Sequence, residues 1–324
     1  MAENRNMAID MAKGIGILLV VIGHTAGMKH IGQELIYSFH MPLFFIIAGY
    51  FYRPSATLDL MKNSLKRLIV PWAITLGISI LICLLMKDYD EAYGFAQGII
   101  FPDGTRDDIM ILPGMHSSGA IWFLPALFWC RIVYNWIYRI STQYALIISF
   151  FVTCFSVVVG RYIFNTPCAF GIGCSATVFY AAGHIMSRHH FLDKNVPLWT
   201  IVPLFIMWVL YERYVDFEMF AYNYDITYLQ DVMIAIAVSY AMLNACERIT
   251  NCVKSPQGGV FAALRWLGLN SLLILCAHTI GLLWIRSVLS VWNVSEWIVT
   301  SVNLINSMGL VVIFNYLKKW LCQH

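Results

Sequence analysis

Charged side chains are scarce in this sequence. Only 12% of its 324 residues are Asp, Glu, Lys or Arg, against about 25% in a soluble domain. That shortage excludes a water-facing surface along most of the chain. Hydrophobic residues take the place of charge, at 60% of the chain, with a mean hydropathy of +0.69. The net charge of +3 is too small to point to nucleic acid as a partner.

Other absences narrow the field further. The nine cysteines include no CxxC pair, and no His/Cys cluster at metal-ligand spacing. A disulfide framework and a metal site are therefore not expected. Cys168 and Cys174 share one short segment, and two free thiols are favoured over a bridge. No nucleotide-binding loop, serine nucleophile motif or low-complexity tract stands out. The first apolar run has a basic flank in Arg5 and Lys13 but no small-residue cleavage site after it. It is expected to remain as a membrane helix and not to be removed as a signal peptide.

What is present is a series of long apolar runs. They place the chain in the all-α class, as one integral membrane domain over 1–324 with no soluble domain appended. About ten transmembrane helices are expected, near 10–28, 35–52, 68–87, 120–138, 144–160, 172–187, 197–211, 229–246, 266–290 and 297–317. Lys and Arg then orient them. With the N-terminus in the cytoplasm, the inner loops collect Arg53, Lys62, Lys66, Arg67, Arg139, Arg188, Arg248 and Arg265. Most of the acids fall outside, including Asp88, Asp90, Glu91, Asp216, Glu218 and Asp225. Both termini are thus expected to be cytoplasmic. The longest outer segment, 88–119, is rich in Asp, Gly and Pro and is a candidate cap.

Lys13 and His24 lie eleven residues apart on the first helix. At 100° per residue that is about 1100°, three turns plus roughly 20°, so both face one side, about 16 Å apart along the axis. Asp10 lies one turn before Lys13. A surface ion pair at the helix foot is one reading of that pair; an oriented cation at the mouth of a cavity is the other. His40 opens the second helix just before Pro42, which suits a first helical turn. A short link joins the two helices, so His24 and His40 are expected at one outer level. Each imidazole reads either as an interfacial group touching water or a carbonyl, or as a functional one. Ionisable groups at membrane depth are costly and usually functional.

Lys66 and Arg67 precede the third helix. The bias of basic residues toward the cytoplasm accounts for them, and phosphate recognition by a guanidinium is the sharper alternative. Trp122 begins the fourth helix, as an interfacial aromatic or as a platform for a sugar ring. Asn270, Ser271 and His278 recur at helical spacing and suggest a polar interior face, whose bland role is an inter-helix hydrogen bond.

The first two helices resemble the type 3 acyltransferase family of integral membrane O-acyltransferases. The residues that carry the resemblance are Asp10-x-x-Lys13-Gly14-Ile15, Gly23-His24, and Phe39-His40-Met41-Pro42-Leu43-Phe44-Phe45 through Ala48-Gly49-Tyr50. Lys13 and His24 match the family's Arg/Lys-x10-His pattern. Lys66-Arg67 and Pro71 match its basic segment before the third helix, and Trp122-Phe123-Leu124-Pro125 and His278 are similar to positions in the fucose O-acetylase-like branch. Two departures stand out. Lys13 keeps the charge of the usual Arg without its fork, and the acidic Trp-Ser-Leu-x-x-Glu motif is replaced by Trp-Phe-Leu-Pro-Ala-Leu, which leaves His40 as the expected substitute in proton transfer.

The resemblance implies acetyl transfer from cytoplasmic acetyl-CoA, as co-substrate, to a hydroxyl of an extracytoplasmic cell-envelope glycan. It implies a multi-pass protein of the bacterial inner membrane, with the bilayer, an acyl-CoA and a hydroxyl acceptor as partners. His24 and His40 are then the catalytic pair. Lys13, Lys66 and Arg67 bind the acyl-CoA donor, Trp122 and His278 the acceptor, and Asp10 orients Lys13. No metal is expected, and the oligomeric state is left open. A transporter of a glycan precursor or small polar metabolite is the rival class, since ten helices with polar interior residues suit a permease too.

Overall fold

A computed structural model describes residues 6–24, 35–102, 119–164, 166–193, 196–211, 217–219, 222, 228–252, 258–290, 292 and 294–321. Nearly all of them are helical. In chain order the helices are α1 (Met7–Gly23), α2 (His40–Tyr50), α3 (Thr57–Ser64), α4 (Val70–Leu85), α5 (Tyr89–Gln97), α6 (Phe123–Ile140) and α7 (Ala145–Tyr162). They continue as α8 (Phe170–Ser175), α9 (Thr177–Arg188), α10 (Leu198–Tyr211), α11 (Tyr228–Cys252), α12 (Gly259–Leu269), α13 (Ser271–Ser290) and α14 (Glu296–Leu321).

Each of the ten expected segments coincides with helix, yet not every one has the length of a span. Six helices among the described residues are long and apolar enough to cross a membrane, or seven if the pair Pro167–Ser175 and Thr177–Arg188, bent by 50°, counts as one. Leu35–Tyr50, Trp199–Tyr211 and Gly259–Leu269 are apolar but shorter. Large apolar side chains such as Leu81, Leu85, Phe151, Phe155, Ile305 and Ile313 point outward and are exposed. This is a multi-pass membrane protein, whose outer faces carry hydrocarbon where a soluble fold carries charge.

Three local features were not anticipated from hydropathy. The third span begins well before residue 68, because α3 runs into α4 through a wide π turn at Leu65–Ile69. Pro71 has no N–H to offer the Arg67 carbonyl, and Val70 N–H reaches back to Leu65 instead. The expected helix 266–290 is broken at Asn270, whose side-chain amide bonds the Trp266 carbonyl at 2.8 Å and competes with the ladder. The segment 88–119 carries a helix of its own, α5, at its start; 103–118 lie outside the described residues. Eight cysteines fall among the described residues, Cys168 and Cys174 included, and all are free thiols.

The helix that positions the site is α1. Asn6 caps its start, accepting from Ala8 N at 2.9 Å and Ile9 N at 3.2 Å. Its residues Ala8, Ile9, Ala12, Ile17 and Val20 are buried, with α2, α11, α12 and α13 packed around it. The closest approach is to α12. A Cβ on Gly14 would overlap the Leu264 carbonyl, and one on Gly268 would overlap the Asp10 carbonyl. Two bare backbones meet there, the small-residue contact by which membrane helices pack without a hydrophobic driving force between them.

Candidate active site

One stripe of α1 faces two abutting cavities. Lys13, Ile17 and Val20 wall a cavity of about 310 Å³, and His24 walls a second of about 230 Å³. These residues step by four, three and four, so they stack on one side of a helix. Met41 of α2 borders both cavities and marks where they meet. The larger cavity is otherwise apolar, with Phe44, Ile47, Leu68, Phe123 and Leu272 in its walls and Ser271 as a polar group.

At its foot, Lys13 Nζ lies 3.7 Å from Asp10 Oδ1 and 5.2 Å from the Phe51 ring centroid. Asp10 is buried, and its second carboxylate oxygen has no partner. A buried carboxylate in need of a cation fixes the lysine's position more firmly than a surface pair does. Lys66 and Arg67 sit in the π turn and are exposed, while the next residue, Leu68, lines the cavity. The two cations are thus neighbours in sequence of a cavity-lining residue and are not themselves in the cavity wall.

At the other end, three histidines share one hydrogen-bond pattern. Nδ1 of His24 bonds the Val20 carbonyl at 2.7 Å, that of His40 the Ile36 carbonyl at 2.5 Å, and that of His278 the Ile274 carbonyl at 3.3 Å. A carbonyl only accepts, so Nδ1 carries the hydrogen in each ring. In the neutral imidazole Nε2 is then the bare, proton-accepting nitrogen. His24 also ends α1: its backbone N–H bonds the same Val20 carbonyl at 3.3 Å, so that oxygen accepts two hydrogens, one from the backbone and one from the ring.

The rings touch one another. His24 and His278 lie edge to face with centroids 5.6 Å apart. Tyr37 contacts both His24, at 6.0 Å, and His40, at 5.5 Å, and its hydroxyl donates to the Gly23 carbonyl at 3.1 Å. Gly23 makes room for it, since a Cβ there would stand 3.0 Å from the Tyr37 ring. His278 is 1% exposed with Nε2 unpartnered, so it stands behind His24. Trp122 is buried at the end of the 3-10 turn Gly119–Trp122 and lines the smaller cavity with His24 and His40. Gly119 permits that turn, with φ of +68°.

Sequence reasoning missed four participants. Tyr37 lies between the histidines, Met41 borders both cavities, and Glu218 lines the smaller one. Arg286 Nη2 donates to the His24 carbonyl at 3.2 Å and lies 4.0 Å from Glu296, a cation set over the negative end of α1. Tyr37 and Met41 share helical spacing with His40 and Phe44 on the Leu35–Tyr50 helix, whereas Glu218 and Arg286 are brought in by tertiary packing. His184 is half-buried away from this site, its Nδ1 2.7 Å from the Tyr134 hydroxyl and its ring against Tyr52. Among the described residues no group of His, Cys, Asp and Glu could hold a metal ion.

The apolar helical bundle and the lysine-to-histidine stripe define a membrane protein with a cluster of histidines at one end of a row of cavity-lining residues. The model of a family described as an acyltransferase domain matches residues 6–317, and the chain belongs to that acyltransferase 3 family. It is similar to nodulation protein NolL of Mesorhizobium japonicum (strain LMG 29417 / CECT 9101 / MAFF 303099), 30% identical over 137 residues, which is 39% of this chain and 34% of the relative. It is also similar to nodulation protein NolL of Sinorhizobium fredii (strain NBRC 101917 / NGR234), 30% identical over 142 residues, 39% of this chain and 35% of the relative. The match thus spans about a third of the length of these curated relatives. No solved structure matches the chain.

Proposed function

We propose that the protein is a membrane O-acyltransferase of the bacterial inner membrane that moves an acetyl group from cytoplasmic acetyl-CoA to a hydroxyl of a cell-envelope glycan. The observation that carries this is the single stripe of α1 facing two cavities that meet at Met41, with cations at one end and proton-accepting imidazoles at the other. The lysine end faces the cytoplasm in this reading. Lys66, Arg67 and Lys13 hold the phosphates of CoA, with Asp10 keeping Lys13 in place. The pantetheine arm lies along Ile17 and Val20 in the apolar cavity, and the roughly 16 Å from Lys13 to His24 along the helix axis suits such an extended chain.

Both substrates then meet at His24, and the chemistry balances without an outside proton source. Nε2 of His24 takes the hydroxyl proton as general base while the oxygen attacks the thioester carbonyl carbon. The carbon–sulfur bond breaks, and the imidazolium returns the proton to the CoA sulfur. The Val20 carbonyl fixes the tautomer this requires. Tyr37 and His278 hold the ring, and His40, beyond Tyr37, relays the proton or orients the hydroxyl. Trp122 supports the acceptor.

Purified protein in liposomes with radiolabelled acetyl-CoA and an envelope-glycan extract tests this directly. Label is expected in an alkali-labile ester on the glycan. Flux of glycan precursor across the liposome without CoA, and no label transfer, would point to the transporter instead. On the donor side, Arg67→Ala is expected to raise the apparent KM for acetyl-CoA roughly tenfold, the scale of one charged hydrogen bond, with kcat little changed. Unchanged kinetics would remove Arg67 from the donor site.

A further inference from the structure

We infer that Asn135 is a positioning residue for the donor: it pins the start of α3 to α6, and so sets where the π turn presents Lys66 and Arg67 to the phosphates of acyl-CoA. This rests on the donor site proposed above and names what holds that site in place.

Residues 51–56 lead from α2 into α3, and their backbone polar groups need partners outside a helical ladder. α3 also starts without a side-chain cap, because Ala56 stands at its N-cap. The partners come from the last turns of α6. Asn135 Nδ2 donates to the Ser55 carbonyl at 3.3 Å and to Thr57 Oγ1 at 3.4 Å. Trp136 Nε1 donates to the same Thr57 oxygen at 3.2 Å, and Arg139 Nη2 to the same Ser55 carbonyl at 2.8 Å. On the other side of the amide, the Tyr52 hydroxyl donates to Asn135 Oδ1 at 2.9 Å. The Ser55 carbonyl can only accept, so Nδ2 must face it and Oδ1 must face the phenol. Asn135 is wholly buried, and both ends of its amide are used. A buried polar knot paired in this way specifies one geometry.

From Thr57 one helical stretch runs through the π turn to Leu85. Lys66 and Arg67 follow Thr57 by roughly 15 Å of helix. Both α3 and the π turn pack against α6. α3 is therefore a short arm held to α6 at its origin, with the two cations at its far end. Loosening the pin lets the arm tilt and displaces the cations. The apolar cavity is walled mostly from α1, α2, α6 and α13, which the arm does not carry. The pin thus acts on the phosphate end of the donor and not on its thioester arm.

The test compares two donors with purified full-length protein in detergent and an envelope-glycan extract. One is acetyl-CoA; the other is S-acetylpantetheine, which keeps the thioester arm and lacks the nucleotide and its phosphates. Wild type is expected to show the lower KM for acetyl-CoA, and Arg67→Ala to narrow that gap. Asn135→Leu, similar in size but without the amide, is expected to raise the acetyl-CoA KM about 3- to 10-fold, the scale of one or two lost hydrogen bonds. Thr57→Val removes one acceptor at a partly exposed position and is expected to raise it about 2- to 3-fold; it decides the matter if Asn135→Leu does not fold. In both variants the KM for S-acetylpantetheine and the kcat with either donor stay within about twofold of wild type. Equal KM shifts for the two donors, a fall in kcat in place of the rise in KM, or no shift overturns the role of Asn135 while the donor site stands. A wild-type gap that Arg67→Ala leaves untouched, or no gap at all, overturns the phosphate reading of the cations and this inference with it. Protein that consumes neither donor overturns the transferase reading itself.

Discussion

Replacing His24 with alanine is expected to lower acetyl transfer by about two to four orders of magnitude, the usual contribution of a positioned general base. The substitution removes the bare Nε2 that the Val20 hydrogen bond presents. It also removes a side-chain cap from the last turn of α1, a loss on the order of 1 kcal/mol. His24→Gln separates the two effects, because its amide can still donate to a carbonyl but cannot take a proton. Both variants are expected to insert and to melt within a few degrees of wild type, and both to be inactive. Substantial activity in either would remove His24 from the chemistry. Acetyl exchange between acetyl-CoA and free CoA without acceptor distinguishes the base from a nucleophile. The two abutting cavities favour simultaneous binding, so no exchange is expected.

The second large effect is on stability. Gly268→Ala adds one methyl group where α12 crosses α1, and that carbon would overlap the Asp10 carbonyl and stand 3.0 Å from Gly14 N. No side chain can rotate away there, since backbone atoms are the obstacle. The helices must separate, at a cost of about 3 kcal/mol, the upper part of the range for overpacking. A thermal unfolding scan in detergent reads this as a fall in Tm. The separation also moves Asp10, and with it Lys13, so any folded fraction is expected to show weakened acetyl-CoA affinity. A Tm equal to wild type would show that α1 and α12 are not in backbone contact.

The parts of this arrangement legible in the sequence are those that depend on one helix at a time. The eleven-residue step from Lys13 to His24 needs only the helical period, and α1 does turn both toward cavities. The start of α2 at His40 follows from Pro42 two residues on. Hydropathy located helix at every expected span, but it counts apolar residues and not hydrogen bonds. It therefore missed the π turn forced by Pro71 and the break made by the Asn270 amide. Composition also does not separate a full span from a shorter apolar helix such as Leu35–Tyr50. Glu218 and Arg286 were illegible for another reason, since their neighbours in the site are distant in sequence. Tyr37 lies one turn before His40 on the Leu35–Tyr50 helix, so the helical period does mark it.

The claim on which the rest depends is that the apolar cavity between Lys13 and His24 holds the donor. Ser271 lines that cavity, and Ser271→Cys places a small thiol in its wall. The rate of alkylation at that position by a maleimide can be followed by peptide mass spectrometry, with wild-type protein as the background. Acetyl-CoA at ten times its Kd is predicted to slow the reaction about tenfold, as simple occupancy requires, and acetate or adenine alone to leave it unchanged. An alkylation rate indifferent to acetyl-CoA, in protein that still consumes it, would contradict the account.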